Sequence, residues 1–271
     1  MADCALLNLG TCLPQKFFEY LLSILNAPIN RFMALNLNLL SERISITVFS
    51  DFWVIIVYML SMFYALLLLA TGFSFMMSGH DVVKRENSKQ WLRNIVIMII
   101  LIQSSFFIYQ LAIDLSANMT SATLSLLDRN FFNISLDGIT DVALQLPFSL
   151  LYITTLITSS LILTIRYAIV AIGVVLFPLA IFFYFFNPLK QYGVLVLNFL
   201  GISIFVTFLD SILLIGFSKL AEVDVFSGMK ILILICSFMI INIFMLSLMF
   251  FSIVKAGFSV YSDVKKIGSL M

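Results

Sequence analysis

The sequence predicts an all-α protein with about six transmembrane helices, preceded by an amphipathic helical segment at the N-terminus. Hydrophobic residues make up 62% of the 271 positions and charged residues only 11%, and the mean hydropathy is +1.13. Soluble proteins are nearer half apolar, so this chain has too little polar surface to fold in water. Its apolar residues are also gathered into runs long enough for a transmembrane helix, which needs about 20 residues.

Residues 1–49 form the predicted N-terminal region. Apolar positions recur there at helical spacing, but charged residues interrupt every window long enough to span a bilayer. Pro28 divides the run, which predicts one or two amphipathic helices. They lie in the membrane interface or over a partner subunit, or they fold back on the chain's own spans. Cys4 and Cys12 lie near the N-terminus, and their spacing allows a disulfide if this region faces an oxidising exterior.

Residues 50–254 form the predicted membrane domain, and residues 255–271 a short C-terminal tail. The six spans are expected at about residues 52–77, 92–113, 142–165, 167–186, 193–217 and 230–254. The apolar run from 142 to 186 is about twice as long as one crossing requires, so we divide it at a bend marked by Arg166. Pro178 is expected to kink the fourth span, because proline removes a backbone donor. The alternative is that this run crosses only once.

A charged turn at residues 78–93 determines the predicted orientation. It carries four basic residues within ten positions, namely Lys84, Arg85, Lys89 and Arg93. The loop at residues 114–141 carries four aspartates and one arginine. Since Lys and Arg concentrate in short cytoplasmic loops, the turn is placed in the cytoplasm, and the loop and the N-terminus outside. Six spans would leave the basic C-terminal tail outside as well, against the same rule, so the side of the C-terminus stays open.

The sequence contains no recognisable catalytic, metal or cofactor motif. It has a single histidine, no HExxH helix, no GxxxxGK phosphate loop and no GxSxG nucleophile. The chain is therefore expected not to be an enzyme and to hold no cofactor. Cys236, inside an apolar run, is expected to pack as a small core residue.

Arg166 and Asp210 are the ionisable residues expected inside the membrane spans. Burying a charge in a bilayer costs several kcal/mol unless the charge is paired or hydrated. Both residues fall near the predicted cytoplasmic ends of neighbouring spans, so they could pair directly. The pair would either hold two helices in register or line a polar path.

Two segments carry a family resemblance. In residues 72–120, a glycine-containing span ends in the charged turn, and the next span finishes in an aspartate with an asparagine shortly after. The second segment runs from Arg166-Tyr167 through Pro178-Leu179-Ala180 to Asn187-Pro188-Leu189-Lys190. Their order and spacing resemble the TrbL family of polytopic inner-membrane subunits of conjugative type IV secretion, and the related archaeal CedA DNA-import proteins.

The resemblance implies a non-enzymatic channel or scaffold subunit of a machine for DNA transfer or DNA import. Such a subunit would form a homo-oligomer in the lipid of the cytoplasmic membrane and work with partner ATPase and pilin subunits. The resemblance implies that DNA is a partner of this chain only indirectly, or as the translocated substrate. A rival from another class is a small secondary transporter or channel with Arg166 and Asp210 as its polar path, and a third is an assembly protein without a conduit. Transporters commonly show paired broken helices, whereas only one proline-broken span is predicted here.

Overall fold

The structure, a computed structural model, is built almost entirely from helices and describes residues 9–78, 82–127, 142–223, 225 and 229–268. Within these residues there are seven α-helices and no strand: α1 (Leu9–Ser41), α2 (Ser50–Met77), α3 (Val82–Gln103), α4 (Ser105–Leu124), α5 (Val142–Phe185), α6 (Lys190–Ala221) and α7 (Lys230–Gly268). Short 3-10 turns at Thr47–Phe49 and Asn187–Leu189 precede α2 and α6. The all-α class is confirmed.

The chain divides into two compact units, each assembled from separated stretches of sequence. The first unit takes its described residues from Met1–Glu42, Ala117–Arg166 and Val206–Leu246. The second takes them from Arg43–Ser116, Tyr167–Phe205 and Ser247–Met271. Helices α4 to α7 therefore each contribute residues to both units.

Helix α1 packs against α5 in the first unit. Among the α1 side chains that the structure describes, the buried ones recur at helical spacing and are Ile29, Met33, Asn36 and Leu40. The Tyr152 hydroxyl donates to the Met33 sulfur over 3.2 Å. One turn further along both helices, the Asn36 amide donates to the Leu156 carbonyl over 3.1 Å. The two helices therefore run parallel, which matches the alternative in which this segment folds back on the chain's own helices.

Pro28 lies inside α1 and does not divide it. Of the one or two helices predicted for this region, the structure has one. Proline costs a helix a backbone hydrogen bond, but the next residue, Ile29, belongs to the buried stripe that holds α1 against its neighbours. This packing offsets the local cost.

Helix α2 packs against α3 in the second unit, along one side only. Their shared core contains Val57, Leu60 and Tyr64 from α2 with Ile95, Met98 and Ile102 from α3. Most of the other apolar side chains of α2 are exposed, and only 17% of its most apolar 18-residue stretch is buried. Phe52, Phe63 and Phe73 all protrude. This uncovered apolar face of α2 requires lipid or another chain as its neighbour.

A bend of 59° separates α3 from α4 at Ser104. The Ser104 hydroxyl donates to the Ile100 carbonyl (2.8 Å), and the Ser105 hydroxyl donates to the Ile102 carbonyl (2.7 Å). Serine side chains that bond to the preceding turn compete with the helical ladder, and adjacent small polar residues are a common cause of kinks. The Trp53 indole on α2 donates to the Ser105 hydroxyl over 2.9 Å and so holds the bend in place.

This bend corrects the predicted second span. Residues 92–113 do not form one helix, because they include the break at Ser104. Helix α4 also continues to Leu124, so the first part of the predicted exterior loop at residues 114–141 is helical.

Helix α5 is continuous from Val142 to Phe185, with Arg166 in its interior. The division into spans at 142–165 and 167–186, with a bend at Arg166, is therefore wrong. Neither glycine nor proline lies in the turns beside Arg166, and its side chain is only 4% exposed, so its charge does not mark a bend at the membrane surface. The helix also continues through Pro178, whose predicted kink stays a prediction.

Helices α6 and α7 occupy the positions predicted for the last two spans. Helix α7, however, extends past residue 254 to Gly268, so most of the predicted tail at residues 255–271 is helical. The helix can continue because this part of the sequence contains no proline, the residue that most strongly breaks a helix.

Four described helical stretches are long and apolar enough to cross a membrane: Thr47–Met77, Pro147–Phe185, Lys190–Ala221 and Ile231–Phe251. The bent pair α3 and α4 makes a fifth if it is counted as one crossing. The described residues thus provide four or five candidate spans where the sequence predicted six. The difference arises mainly from α5, which is one helix.

Candidate functional site: a buried arginine and aspartate

Asp210 lies on a polar stripe of α6 in the first unit. Thr207, Asp210, Ser211 and Ser218 recur on one side of this helix, and all four are buried. The side chain of Asp210 is fully buried, and neither of its carboxylate oxygens accepts a hydrogen bond within the described structure. A carboxyl group in this position is stable either as the neutral acid or with compensation from a nearby positive charge, because burial removes it from water.

Arg166 on α5 is the positively charged side chain that acts on this carboxyl group. Arg166 is also buried, and no hydrogen bond joins it to the Asp210 oxygens. Both residues belong to the first unit. The structure therefore brings together the two ionisable residues that the sequence singled out.

The sequence itself determines why these two residues meet. A three-residue 3-10 turn, Asn187–Leu189, joins α5 to α6. Helices joined by so short a connection run antiparallel. Arg166 and Asp210 lie at equal sequence distances on either side of this turn, so they fall at the same level of the helix pair.

Two further buried polar groups in the first unit were missed by sequence reasoning. Asn36 on α1 is fully buried, and its amide donates to the carbonyls of Phe32 and Leu156, but its side-chain oxygen accepts no hydrogen bond within the described residues. Ser237 on α7 is also fully buried, and its hydroxyl has no such partner there. Asn36 falls on the same helical stripe as Met33 and Leu40. This spacing in the sequence was the signal that could have predicted its burial.

The chemistry open to this site is that of a buried arginine and a buried carboxyl group in the same unit. Among the residues that the structure describes, no three His, Cys, Asp or Glu side chains form a group that could hold a metal ion. The pair can hold α5 and α6 in register, or it can present a charged group inside an apolar helix bundle.

The basic turn lies in the second unit. Lys84, Arg85, Lys89 and Arg93 are all exposed on the first turns of α3. The Arg85 guanidinium lies over the Phe75 ring at 5.7 Å from its centroid. Lys89 pairs with Glu86 at 3.8 Å. His80 and the residues next to it lie outside the described part of the chain.

Cys236 is exposed on α7. It lies on the side of the helix that faces away from the buried residues Leu234 and Phe238. The prediction that Cys236 packs in the core is therefore wrong. Cys4 and the side chain of Cys12 lie outside the described residues, and their disulfide stays a prediction.

The described residues define a class of protein: they are helical, with several apolar helices of membrane-spanning length, an exposed basic turn, and a buried arginine and aspartate in the same unit. Comparison of the chain with family models, with curated proteins and with solved structures finds no match.

Proposed function

We propose that this chain is a non-enzymatic channel or scaffold subunit of a membrane machine for DNA transfer or DNA import, related to type IV secretion. The class of activity comes from the sequence resemblance around the basic turn and after Arg166. The structural observation that supports a subunit is the uncovered apolar face of α2. Only 17% of the most apolar 18-residue stretch of this helix is buried. A face of this kind suits packing against copies of the same chain, or against partner pilin subunits, in the membrane. Partner ATPases would supply the energy.

The proposed topology has five crossings, formed by α2, the bent pair α3 and α4, α5, α6 and α7. The N-terminus is outside and the basic turn is in the cytoplasm. Because α5 crosses once, the turn containing Lys190 and the C-terminal residues Lys255, Lys265 and Lys266 all fall on the cytoplasmic side. This arrangement removes the conflict with the positive-inside rule that six spans created.

Cysteine labelling in intact cells tests this topology. In a Cys236→Ala background, a membrane-impermeant thiol reagent is expected to label Cys4 and Cys12 after mild reduction. A Glu86→Cys variant that also lacks Cys4 and Cys12 places the only thiol in the basic turn, and labelling there should require permeabilised cells. The reverse pattern would show that the orientation is inverted.

Deletion in the native host tests the function. We expect loss of the chain to reduce DNA transfer or DNA uptake to background, and re-expression to restore it. The purified chain in liposomes should pass no ion or small solute by itself, because the proposed conduit requires partner subunits. Normal DNA transfer without the chain would contradict the proposal.

A second candidate function, a small transporter or channel, is favoured by one observation. Asp210 is a fully buried carboxylate inside a candidate span, and its oxygens accept no hydrogen bond from the described residues. Intramembrane carboxylates of this kind often mark ion or proton paths. Solute flux by the purified chain that is lost in Asp210→Asn would support this function over the first.

A further inference from the structure

A cleft of about 670 Å³ lies between the end of α2 and the start of α3, within the second unit. We refer to it as the α2–α3 cleft. Ala70, Phe73 and Met77 of α2 form its apolar wall, and Lys84, Asn87 and Trp91 of α3 form the opposite wall. Its two sides are joined by the hydroxyls of Ser74 and Ser88, which are 3.0 Å apart.

The α3 wall presents three hydrogen-bond donors on one helical face. Lys84, Asn87 and Trp91 are spaced three and four residues apart, so they lie above one another. An ammonium, an amide and an indole N–H can all donate to the oxygens of an anion. The donors begin at the basic turn and extend along α3 toward the apolar part of the helix.

The apolar wall is continuous with the uncovered apolar face of α2. Phe73 and Met77 are 65% and 88% exposed, so a ligand in the cleft contacts hydrocarbon on one side and donors on the other. An anionic lipid has this division, with a charged phosphate at one end and an acyl chain at the other. Basic pockets between transmembrane helices near a membrane surface are suited to such headgroups.

We propose that the α2–α3 cleft binds an anionic phospholipid, whose phosphate is held by Lys84 and Asn87 and whose acyl chain lies along Phe73 and Met77. Trp91 lines the cleft about two helical turns further along α3 than Lys84. Nucleic acid fits the cleft less well, because half of its wall is apolar and opens toward the lipid-facing side of α2. The inference requires only that α2 and α3 lie in a membrane, so it does not depend on the proposed function.

The neighbouring basic residues provide a matched control. Arg85, Lys89 and Arg93 are spaced four residues apart and form a separate stripe on α3. None of them is among the residues that line the cleft. Lys89→Gln therefore removes one positive charge, which is paired with Glu86, from the same helix without changing the cleft.

Native mass spectrometry of the full chain tests the proposal. The protein is released from nanodiscs that contain equal amounts of phosphatidylglycerol and phosphatidylcholine, and the lipids that stay bound are counted. We expect phosphatidylglycerol to be retained about fivefold over phosphatidylcholine, the ratio that one lysine at an anionic surface provides. Lys84→Gln should bring the ratio close to one, whereas Lys89→Gln should leave it unchanged.

Fluorescence quenching locates the bound lipid. Trp53→Phe leaves Trp91 as the only tryptophan. Phosphatidylglycerol with brominated acyl chains should then quench the Trp91 fluorescence more strongly than brominated phosphatidylcholine does. If Trp53→Phe does not fold, the mass-spectrometric comparison still decides the proposal. Equal retention of the two lipids, or equal effects of the two lysine variants, would overturn it. Displacement of the brominated lipid by a short DNA duplex would also overturn it, because the cleft would then take nucleic acid.

Discussion

Removing Asp210 alone is expected to destabilise the protein strongly, whereas removing Asp210 and Arg166 together is not. After Arg166→Met the Asp210 carboxyl can become neutral by binding a proton, whereas Asp210→Leu leaves the Arg166 guanidinium buried without the nearby carboxyl group. Breaking a buried pair in this way typically costs roughly 3–5 kcal/mol. The double variant restores an apolar interior, and its stability should return to within about 1 kcal/mol of the parent protein.

Thermal unfolding of the purified chain in one detergent measures these effects as a double-mutant cycle. The same helix region offers a matched exposed pair, Lys219 and Glu222, whose charged atoms are 2.8 Å apart while their side chains are 62% and 50% exposed. Breaking this exposed pair should cost less than about 1 kcal/mol.

The outcome of the cycle also separates the two roles proposed for Arg166 and Asp210. A stable double variant that still supports DNA transfer assigns the pair a structural role in the contact between α5 and α6. A double variant that folds normally but has lost all activity assigns it a functional role. Additive costs for the two single substitutions would show that the residues do not act as a pair.

Much of the fold could be predicted from continuous apolar runs with clear ends. Helix α2 begins two residues before its predicted start at residue 52 and ends at Met77 as expected. Its end could be predicted because the apolar run stops where the charged turn begins. Arg166 and Asp210 were found for a related reason. Charged residues are rare in such runs, so each one is informative even before its partner is known.

The errors occurred where tertiary contacts decided between two local alternatives. Arg166 resembled a residue at a bend because the sequence alone does not show that its side chain is buried in the first unit. Conversely, Ser104 and Ser105 are small polar residues that many membrane helices tolerate, and the hydrogen bond from Trp53 to Ser105 is a contact between distant parts of the chain. Asn36 was missed because α1 was not assigned to the interior.

A methyl group added at Gly193 is expected to disrupt the second unit. Gly193 lies on α6, where a Cβ atom would overlap the backbone nitrogen of Tyr184 and lie 2.7 Å from the carbonyl oxygen of Ala180, both on α5. Close approach of helix backbones at small residues is a common way for membrane helices to pack. Backbone atoms cannot turn aside as a flexible side chain can, so Gly193→Ala must separate the two helices.

We expect Gly193→Ala to cost about 2–4 kcal/mol, more than overpacking usually costs when side chains can adjust. Gly201 is the control, because it lies on the same helix in the same unit and a Cβ atom there meets nothing within 4 Å. Gly201→Ala should be neutral or stabilise the protein by up to about 1 kcal/mol, since alanine is the better helix former. Thermal unfolding of both variants in the same detergent measures the difference. Equal stability of the two variants would show that α5 and α6 do not approach each other at Gly193 as closely as the structure places them.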